Sequence, residues 1–123
     1  MSAKVGVRET QGVTVVEVSG RLTLGEGVAK VRSELQPIIA GGKRQIVLDI
    51  SEVVYLDSSG IGLLVSTYAT MNRLGGHLKV CGLSNRVKDL LLLTKLFTVF
   101  EVYDNADAAV ASFSNQQQAA RNP

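Results

Sequence analysis

Residues 57 to 62, with the sequence DSSGIG, carry the side chains of this chain that are best suited to chemistry. An aspartate, two serines and two glycines interrupt an otherwise apolar stretch. Serine favours helix caps over helix interiors, and each glycine costs a helix about 1 kcal/mol relative to alanine. Something other than helix stability therefore has to explain why these residues stand together.

The apolar pattern that follows places the DSSG residues at the start of a helix. Apolar residues from Ile61 to Leu74 recur at helical spacing, and the pair Gly75-Gly76 ends the run. A helix that begins at Asp57 or Ser58 presents unpaired backbone N–H groups and the positive end of its dipole to these side chains. A serine there could carry a phosphate. The open alternative is that Asp57 or Ser58 is only the N-cap.

The two glycines favour the functional interpretation over the simple cap. Gly60 and Gly62 are predicted to bring the backbone of the first helical turn to an unobstructed surface. Such a surface suits a site that another macromolecule approaches closely.

The sequence gives little support for enzyme chemistry. A nucleophilic Ser58 or Ser59 oriented by Asp57 needs a general base, and the only histidine, His77, is predicted at the surface at a strand start. DSSGIG is neither a P-loop nor a G-x-S-x-G elbow. One histidine and one cysteine cannot form a usual zinc site, and Cys81 is predicted to be a small buried hydrophobe. We expect no catalysis, no metal and no cofactor.

Length and composition indicate one globular domain. The chain has 123 residues, of which 46% are hydrophobic and 20% charged. Its 13 basic and 11 acidic residues are spread along the sequence, so no basic stripe points to nucleic acid. A single cysteine excludes an internal disulfide, and neither a signal peptide nor a membrane-spanning apolar run is present. We expect a cytoplasmic protein without membrane insertion.

The elements that must position the DSSG residues alternate along the chain in the order β-β-α-β-α-β-α-β-α. A hairpin around Gln11-Gly12 opens the fold, and the segment 44–50 reads as a strand covered on both faces, followed by a loop, SEVVYL. We expect an α/β fold with a mostly parallel central sheet, an antiparallel edge hairpin and about four helices. The predicted strands are 4–10, 13–20, 44–50, 77–82 and 97–103.

Two helices follow the DSSG helix in this prediction. Ser84 caps the first of them, in which Leu92 lies off the apolar face formed by Val87, Leu90, Leu91 and Leu93. Asp104 caps the last, which runs through Val110 and Phe113. We assign residues 1–115 to the domain and residues 116–123 to a frayed C-terminal tail.

Four segments of the chain match a known family. They are GRL after the second strand, IVLDISEVVYLDSSGIGLLVSTY, GGHLKVCGLSNRVKDLL and LFTVFEVYDNADAAV. Over essentially Val5 to Phe113, the chain resembles the STAS domain of bacterial anti-sigma factor antagonists. The resemblance implies a STAS-like domain that binds a serine-kinase anti-sigma factor and thereby frees the sigma factor. The kinase releases the antagonist by phosphorylating the serine that follows the motif's aspartate, here Ser58, and a serine phosphatase resets the switch.

The resemblance also implies a partner-binding surface, with one departure from the family pattern. Family members often have an aspartate in the loop after the second strand, where this chain has Thr23, although Glu26 offers a nearby carboxylate. Because that loop contacts the kinase, the change concerns the identity of the partner more than the mechanism. The implied partner-binding residues are Arg21, Thr23, Asp57, Ser58, Ser59, Gly60, Ile61 and Gly62.

Two other functions remain open from the sequence. A STAS accessory subunit of a lipid-transport ABC system would share the fold, bind a transporter ATPase and need no phosphorylatable serine. A small hydrolase using Ser58 would need a base that the sequence does not supply.

Overall fold

A computed structural model describes residues 3–121, with side chains described for residues 3–114. Within this range, strands and helices follow one another in the predicted order. The strands are β1 (Lys4–Thr10), β2 (Val13–Leu22), β3 (Gln45–Leu56), β4 (His77–Cys81) and β5 (Glu101–Tyr103). The helices are α1 (Glu26–Ala40), α2 (Ser58–Arg73), α3 (Asn85–Leu93) and α4 (Ala106–Arg121).

The five strands form one sheet in the order β1-β2-β3-β4-β5. β1 is antiparallel to β2, and each later pair is parallel, which confirms the predicted mixed sheet with an edge hairpin. The turn of this hairpin consists of Gln11 and Gly12, whose φ angles are 53° and 77°. Positive φ at both positions is typical of the two-residue turn that matches the twist of antiparallel strands.

Helices cover both faces of the sheet. α1, α2 and α3 pack on one face through side chains such as Leu35, Leu64 and Leu91. α4 packs on the other face, where Val110 and Phe113 join buried residues of β2 and β3. The start of α2 thus follows the carboxyl end of the central strand β3, at the end of the sheet where the parallel strands finish.

The central strand β3 is longer than the sequence predicts. Its first half is buried on both faces as expected, but residues 51–56 continue the strand instead of forming the predicted loop. They pair with β2 up to Leu22, although β4 accompanies β3 only as far as Asp49. One face of this extension lies open to solvent, which explains the polar residues that resemble a loop in the sequence.

Two irregularities bend this extension of β3. The register with β2 slips between Glu17 and Ser19 and again between Gly20 and Arg21, and each time β3 holds one more residue than β2. Such bulges increase strand twist and redirect side chains, and they are common beside functional sites. The second bulge includes Val54, three residues before Asp57, which caps α2.

Helix α3 confirms most of its predicted features. Ser84 caps it by accepting a hydrogen bond from the backbone N–H of Val87 at 3.2 Å. Leu92 is exposed as expected, but Leu93 is exposed as well, so its predicted place on the apolar face was wrong. The buried residues Val87 and Leu91 are four positions apart, and Leu93 lies well off the stripe that they define.

The C-terminal part differs from the prediction in two ways. β5 is shorter than the predicted strand, because residues 97–100 form a turn. Asn105, and not Asp104, caps α4, since its Oδ1 accepts from the N–H of Ala108 at 2.8 Å. α4 extends to Arg121, and the assignment of residues 116–123 to a frayed tail stays a prediction. Residues 122–123 lie outside the described range, and the domain boundary at residue 115 stays a prediction.

None of the helices in the described range is long and apolar enough to cross a membrane.

Candidate functional site

Asp57 joins two parts of the site through its carboxylate. It is the N-cap of α2, and its Oδ1 accepts a hydrogen bond from the backbone N–H of Gly60 at 3.0 Å. Its Oδ2 accepts from the backbone N–H of Leu24, in the loop between β2 and α1, at 2.9 Å. Of the two cap candidates in the sequence, Asp57 is therefore the cap, and it also holds the β2–α1 loop against the start of α2.

These hydrogen bonds keep Asp57 ionised. The N–H of Leu24, followed by that of Gly60, lowers the pKa of the Asp57 carboxyl below its ordinary value of 3.8. Both bonds favour the charged form, and the N-terminal end of the helix dipole favours a negative charge at the same place. Asp57 thus carries a fixed negative charge next to the two serines at neutral pH.

The lowered pKa of Asp57 predicts a pH-dependent effect of Asp57→Asn. Because the pKa is lower in the folded than in the unfolded chain, the charged carboxylate stabilises the fold above about pH 4 and loses this effect as the pH falls further. We expect urea unfolding to show the largest stability difference between wild type and Asp57→Asn at neutral pH, and a smaller difference near pH 3. A difference that stays constant over this range would contradict the assignment.

Ser58 is the accessible serine of the pair. It is the first residue of α2 and is exposed, whereas Ser59 is half-buried. Within the described part of the chain, the Ser58 hydroxyl has no hydrogen-bond partner. The Ser58 hydroxyl is therefore accessible from solvent without the loss of an internal contact.

The two glycines of the motif have different roles. Gly62 is exposed, and a Cβ built on it would meet no heavy atom within 4 Å, in agreement with the predicted open surface. Gly60 is buried, so its predicted place at an unobstructed surface was wrong. A Cβ on Gly60 would overlap the carbonyl oxygen of Leu22 and lie 2.6 Å from Cδ1 of Leu56. Gly60 allows α2 to approach the ends of β2 and β3 closely.

The other predicted partner-binding residues lie around this turn. Ile61 is half-buried against the main core. Arg21, at the end of β2, is exposed, while Thr23 is half-buried and its carbonyl oxygen accepts from the N–H of Val28 at 3.1 Å. Glu26 is exposed in the first turn of α1. Through the hydrogen bond from Leu24 to Asp57, the β2–α1 loop and the DSSG turn form one continuous surface.

Three exposed apolar residues border this surface and were missed in the sequence. Leu24 is 78% exposed, Val54 66% and Tyr55 38%. The backbone N–H of Leu24 donates to Asp57, and Val54 and Tyr55 lie at the bulged end of β3, separated from the DSSG turn only by Leu56. Val54 and Tyr55 lie in the segment that the sequence assigns to a loop, where their exposure has no special meaning. Leu24 stands within the turn TLGEG, and an apolar residue in such a turn indicates an exposed apolar side chain.

Two arginines flank the ring of Tyr55. Cζ of Arg21 lies 4.9 Å from the ring centroid, and Cζ of Arg86, in the first turn of α3, lies 5.8 Å from it. Guanidinium groups at these distances interact favourably with the ring electrons. The bulge at the end of β3 thus brings together side chains from β2, β3 and α3 that are far apart in the sequence.

The structure places the only histidine far from the serines. His77 pairs with Gln45 at the beginning of β3, while Ser58 follows the end of that strand. A strand of this length separates the two residues by on the order of 30 Å. His77 therefore cannot act as a base for Ser58. In the range that the structure describes, no three His, Cys, Asp or Glu side chains are arranged to hold a metal ion.

Cys81 is buried as predicted. Its side chain is fully buried in β4, and burial, assisted by Asp49, raises the pKa of its thiol to about 12. Because the thiolate is the reactive form, we expect alkylation by iodoacetamide at pH 8 to be very slow in the folded protein and fast in urea. Equal rates in both states would show that the thiol is accessible.

Comparison with known proteins agrees with the fold. The sequence model of the STAS domain matches residues 4–109. An anti-sigma F factor antagonist from Paenibacillus polymyxa is 32% identical over 108 residues, which cover 85% of this chain and 90% of that protein. An anti-sigma-B factor antagonist from Staphylococcus aureus is 30% identical, with coverage of 75% and 84%.

A solved structure shows the same architecture. The crystal structure of an anti-sigma factor antagonist from Mycobacterium paratuberculosis superimposes with a TM-score of 0.81 at 24% identity, and covers 89% of this chain and 92% of that one. With the family match over most of the chain, the mixed five-stranded sheet and the helices on both of its faces, this protein belongs to the STAS domain family.

Proposed function

We propose that this chain is an anti-sigma factor antagonist that binds a serine-kinase anti-sigma factor and is released when Ser58 is phosphorylated. The observation that carries the proposal is the exposed Ser58 hydroxyl, which directly follows the capping carboxylate of Asp57 at the start of α2. The names of the relatives from Paenibacillus polymyxa and Staphylococcus aureus support the role as an antagonist.

The unmodified surface is suited to binding a protein. Exposed apolar side chains of Leu24, Val54 and Tyr55 lie around the DSSG turn, and Gly62 leaves the first turns of α2 open to a close partner. Burial of exposed apolar surface is the main favourable contribution in most protein association. In this state the antagonist occupies the anti-sigma factor, and the sigma factor is free.

Phosphorylation adds charge at the centre of this surface. The Ser58 Oγ attacks the γ-phosphorus of ATP bound to the kinase, ADP leaves, and the serine proton passes to a base of the kinase. The phosphate brings about −1.5 to −2 charges next to Asp57, which is already ionised. Desolvation of these charges and repulsion by acidic groups of the partner then favour dissociation.

The fold is expected to tolerate the phosphate. Ser58 is exposed in the first turn of α2, where unpaired N–H groups and the helix dipole favour a negative charge. The modification can thus change binding without unfolding the domain. A serine phosphatase that removes the phosphate restores the binding state.

In this role the chain is a binding protein and a substrate of its kinase, and it is not itself an enzyme. Its partners are the kinase and the phosphatase, and we expect it to act in the cytoplasm, where the sigma factor binds RNA polymerase.

Affinity capture from a lysate of the native organism tests the proposal. With ADP and Mg²⁺ present, we expect the wild-type chain to retain a kinase-type anti-sigma factor that Ser58→Glu retains much less. Ser33→Glu is the matched control, because it adds the same charge at an exposed serine in the middle of α1, and it should retain the kinase as the wild type does. If all three baits retain a transporter ATPase, or none retains a kinase, the proposal fails, and an ATPase would favour the accessory-subunit alternative.

A further inference from the structure

We propose that Arg21, Tyr55 and Arg86 form a recognition site for a carboxylate-bearing segment of the partner kinase. This inference rests on the proposed function and adds the chemistry of the partner surface. We refer to these three residues as the arginine–tyrosine patch.

The patch is built by three different elements. Arg21, the second-last residue of β2, pairs with Tyr55 in the register of the sheet, and Arg86 reaches the same ring from α3. The bulge at Val54 separates Tyr55 from the buried Val53, and Tyr55 remains 38% exposed next to the buried Leu56. The ring is therefore partly open to solvent, and one guanidinium group from β2 and one from α3 lie beside it.

The two guanidinium groups have no acidic partner in the described side chains. Among residues 3–114, neither Arg21 nor Arg86 takes part in an ion pair of the kind that joins Arg8 to Glu17 and Lys43 to Glu9. The nearby carboxylate of Asp57 is already occupied on both oxygens by backbone N–H groups. The patch thus carries two positive charges that an external anion can neutralise.

Guanidinium groups that lie over an aromatic ring are suited to binding carboxylates. Contact with the ring electrons uses none of their N–H groups, which stay available for a bidentate carboxylate contact. Contact with the Tyr55 ring also restricts both arginines before binding, so less conformational freedom is lost in the complex. Tyrosine and arginine are among the residues that most often dominate the energy of protein interfaces.

The location of the patch links it to Ser58. Tyr55 is three residues before Ser58, which limits the distance between their Cα atoms to about 10 Å. Exposed Leu24 and Val54 lie on the same surface and provide apolar contact around the charged centre. A partner with carboxylates over this patch would meet the Ser58 phosphate at close range. An acidic partner segment therefore explains why the phosphate opposes binding.

The test compares charge-reversal variants in binding to the kinase-type anti-sigma factor purified after its capture on the wild-type chain. Isothermal titration calorimetry with ADP measures the dissociation constant for wild type, Arg21→Glu, Arg86→Glu and Arg32→Glu. Arg32 is the matched control, because it is an exposed arginine in the middle of α1. Circular dichroism spectra verify that all variants are folded, and each titration is repeated at higher salt.

We expect Arg21→Glu and Arg86→Glu each to weaken binding about tenfold or more at low salt, with a smaller loss at high salt. Arg32→Glu should bind within about twofold of wild type. Wild-type affinity in both patch variants would overturn the inference and leave the proposed function intact. A loss of the same size at low and high salt would also overturn it, because the contact would not be electrostatic. If the wild-type chain binds no kinase, the proposed function fails and the patch inference fails with it.

Discussion

Ser58→Ala is expected to abolish phosphorylation of this chain by its kinase, whereas Ser59→Ala leaves it unchanged. The two serines are adjacent, but only Ser58 is exposed, and it follows directly after the Asp57 cap. A kinase active site must bring the hydroxyl within bonding distance of the γ-phosphorus, which the half-buried Ser59 cannot offer while α2 is folded.

Intact-mass spectrometry after incubation with the purified kinase, ATP and Mg²⁺ measures this result. Wild type and Ser59→Ala should gain one phosphate, and Ser58→Ala none. If Ser58→Ala also gained one phosphate, the kinase would modify another residue, and the assignment of Ser58 as the phosphorylated serine would be wrong. Loss of phosphorylation in both variants would mean that the kinase requires both serines. Exposure of Ser58 alone would then not explain which residue is modified.

Gly60→Ala is expected to destabilise the fold by about 3 kcal/mol, near the upper end of the range for inserting a methyl group into a packed interior. The added Cβ would overlap the carbonyl oxygen of Leu22 and crowd the side chain of Leu56. Since the first of these is backbone at the end of β2, no rotamer change can make room. For a domain of this size, the midpoint of thermal unfolding should be about 10 °C lower than in the wild type.

Gly62→Ala is the matched control for this substitution. It makes the same chemical change two residues away, where nothing lies within 4 Å of the added Cβ. Alanine is the better helix former, so we expect the thermal midpoint to stay the same or rise slightly. Equal destabilisation by both substitutions would contradict the packing described for Gly60. If Gly62 faces the partner, Gly62→Ala should also weaken kinase binding while the fold stays intact.

Local patterns predicted most of the fold because they directly reflect local structure. The turn at Gln11-Gly12 has positive φ at both positions, and Gly12 between two β-rich segments was enough to predict it. Helical spacing after Ile61 and the cap candidates predicted where α2 begins, and Asp57 fills the cap position. The near-continuous apolar run at the start of β3 predicted burial on both faces.

Features that depend on distant segments were not predictable in this way. The extension of β3 exists because β2 offers a pairing partner as far as Leu22, and no local pattern shows that contact. Gly60 looks like an exposed glycine until the ends of two strands are placed against it. The arginine–tyrosine patch depends on the bulge at Val54 and on the position of α3. No pattern in the sequence therefore indicates that Tyr55 and Arg86 lie close together.

The most direct test of the account compares the affinity of two forms of the same chain for the kinase-type anti-sigma factor. Isothermal titration calorimetry with ADP measures the unmodified protein and the protein phosphorylated on Ser58. We expect the phosphate to weaken binding at least about 100-fold, as like charges opposed across an interface typically do, while the circular dichroism spectrum stays the same. Equal affinity of the two forms would show that Ser58 does not control binding and would contradict the proposed switch.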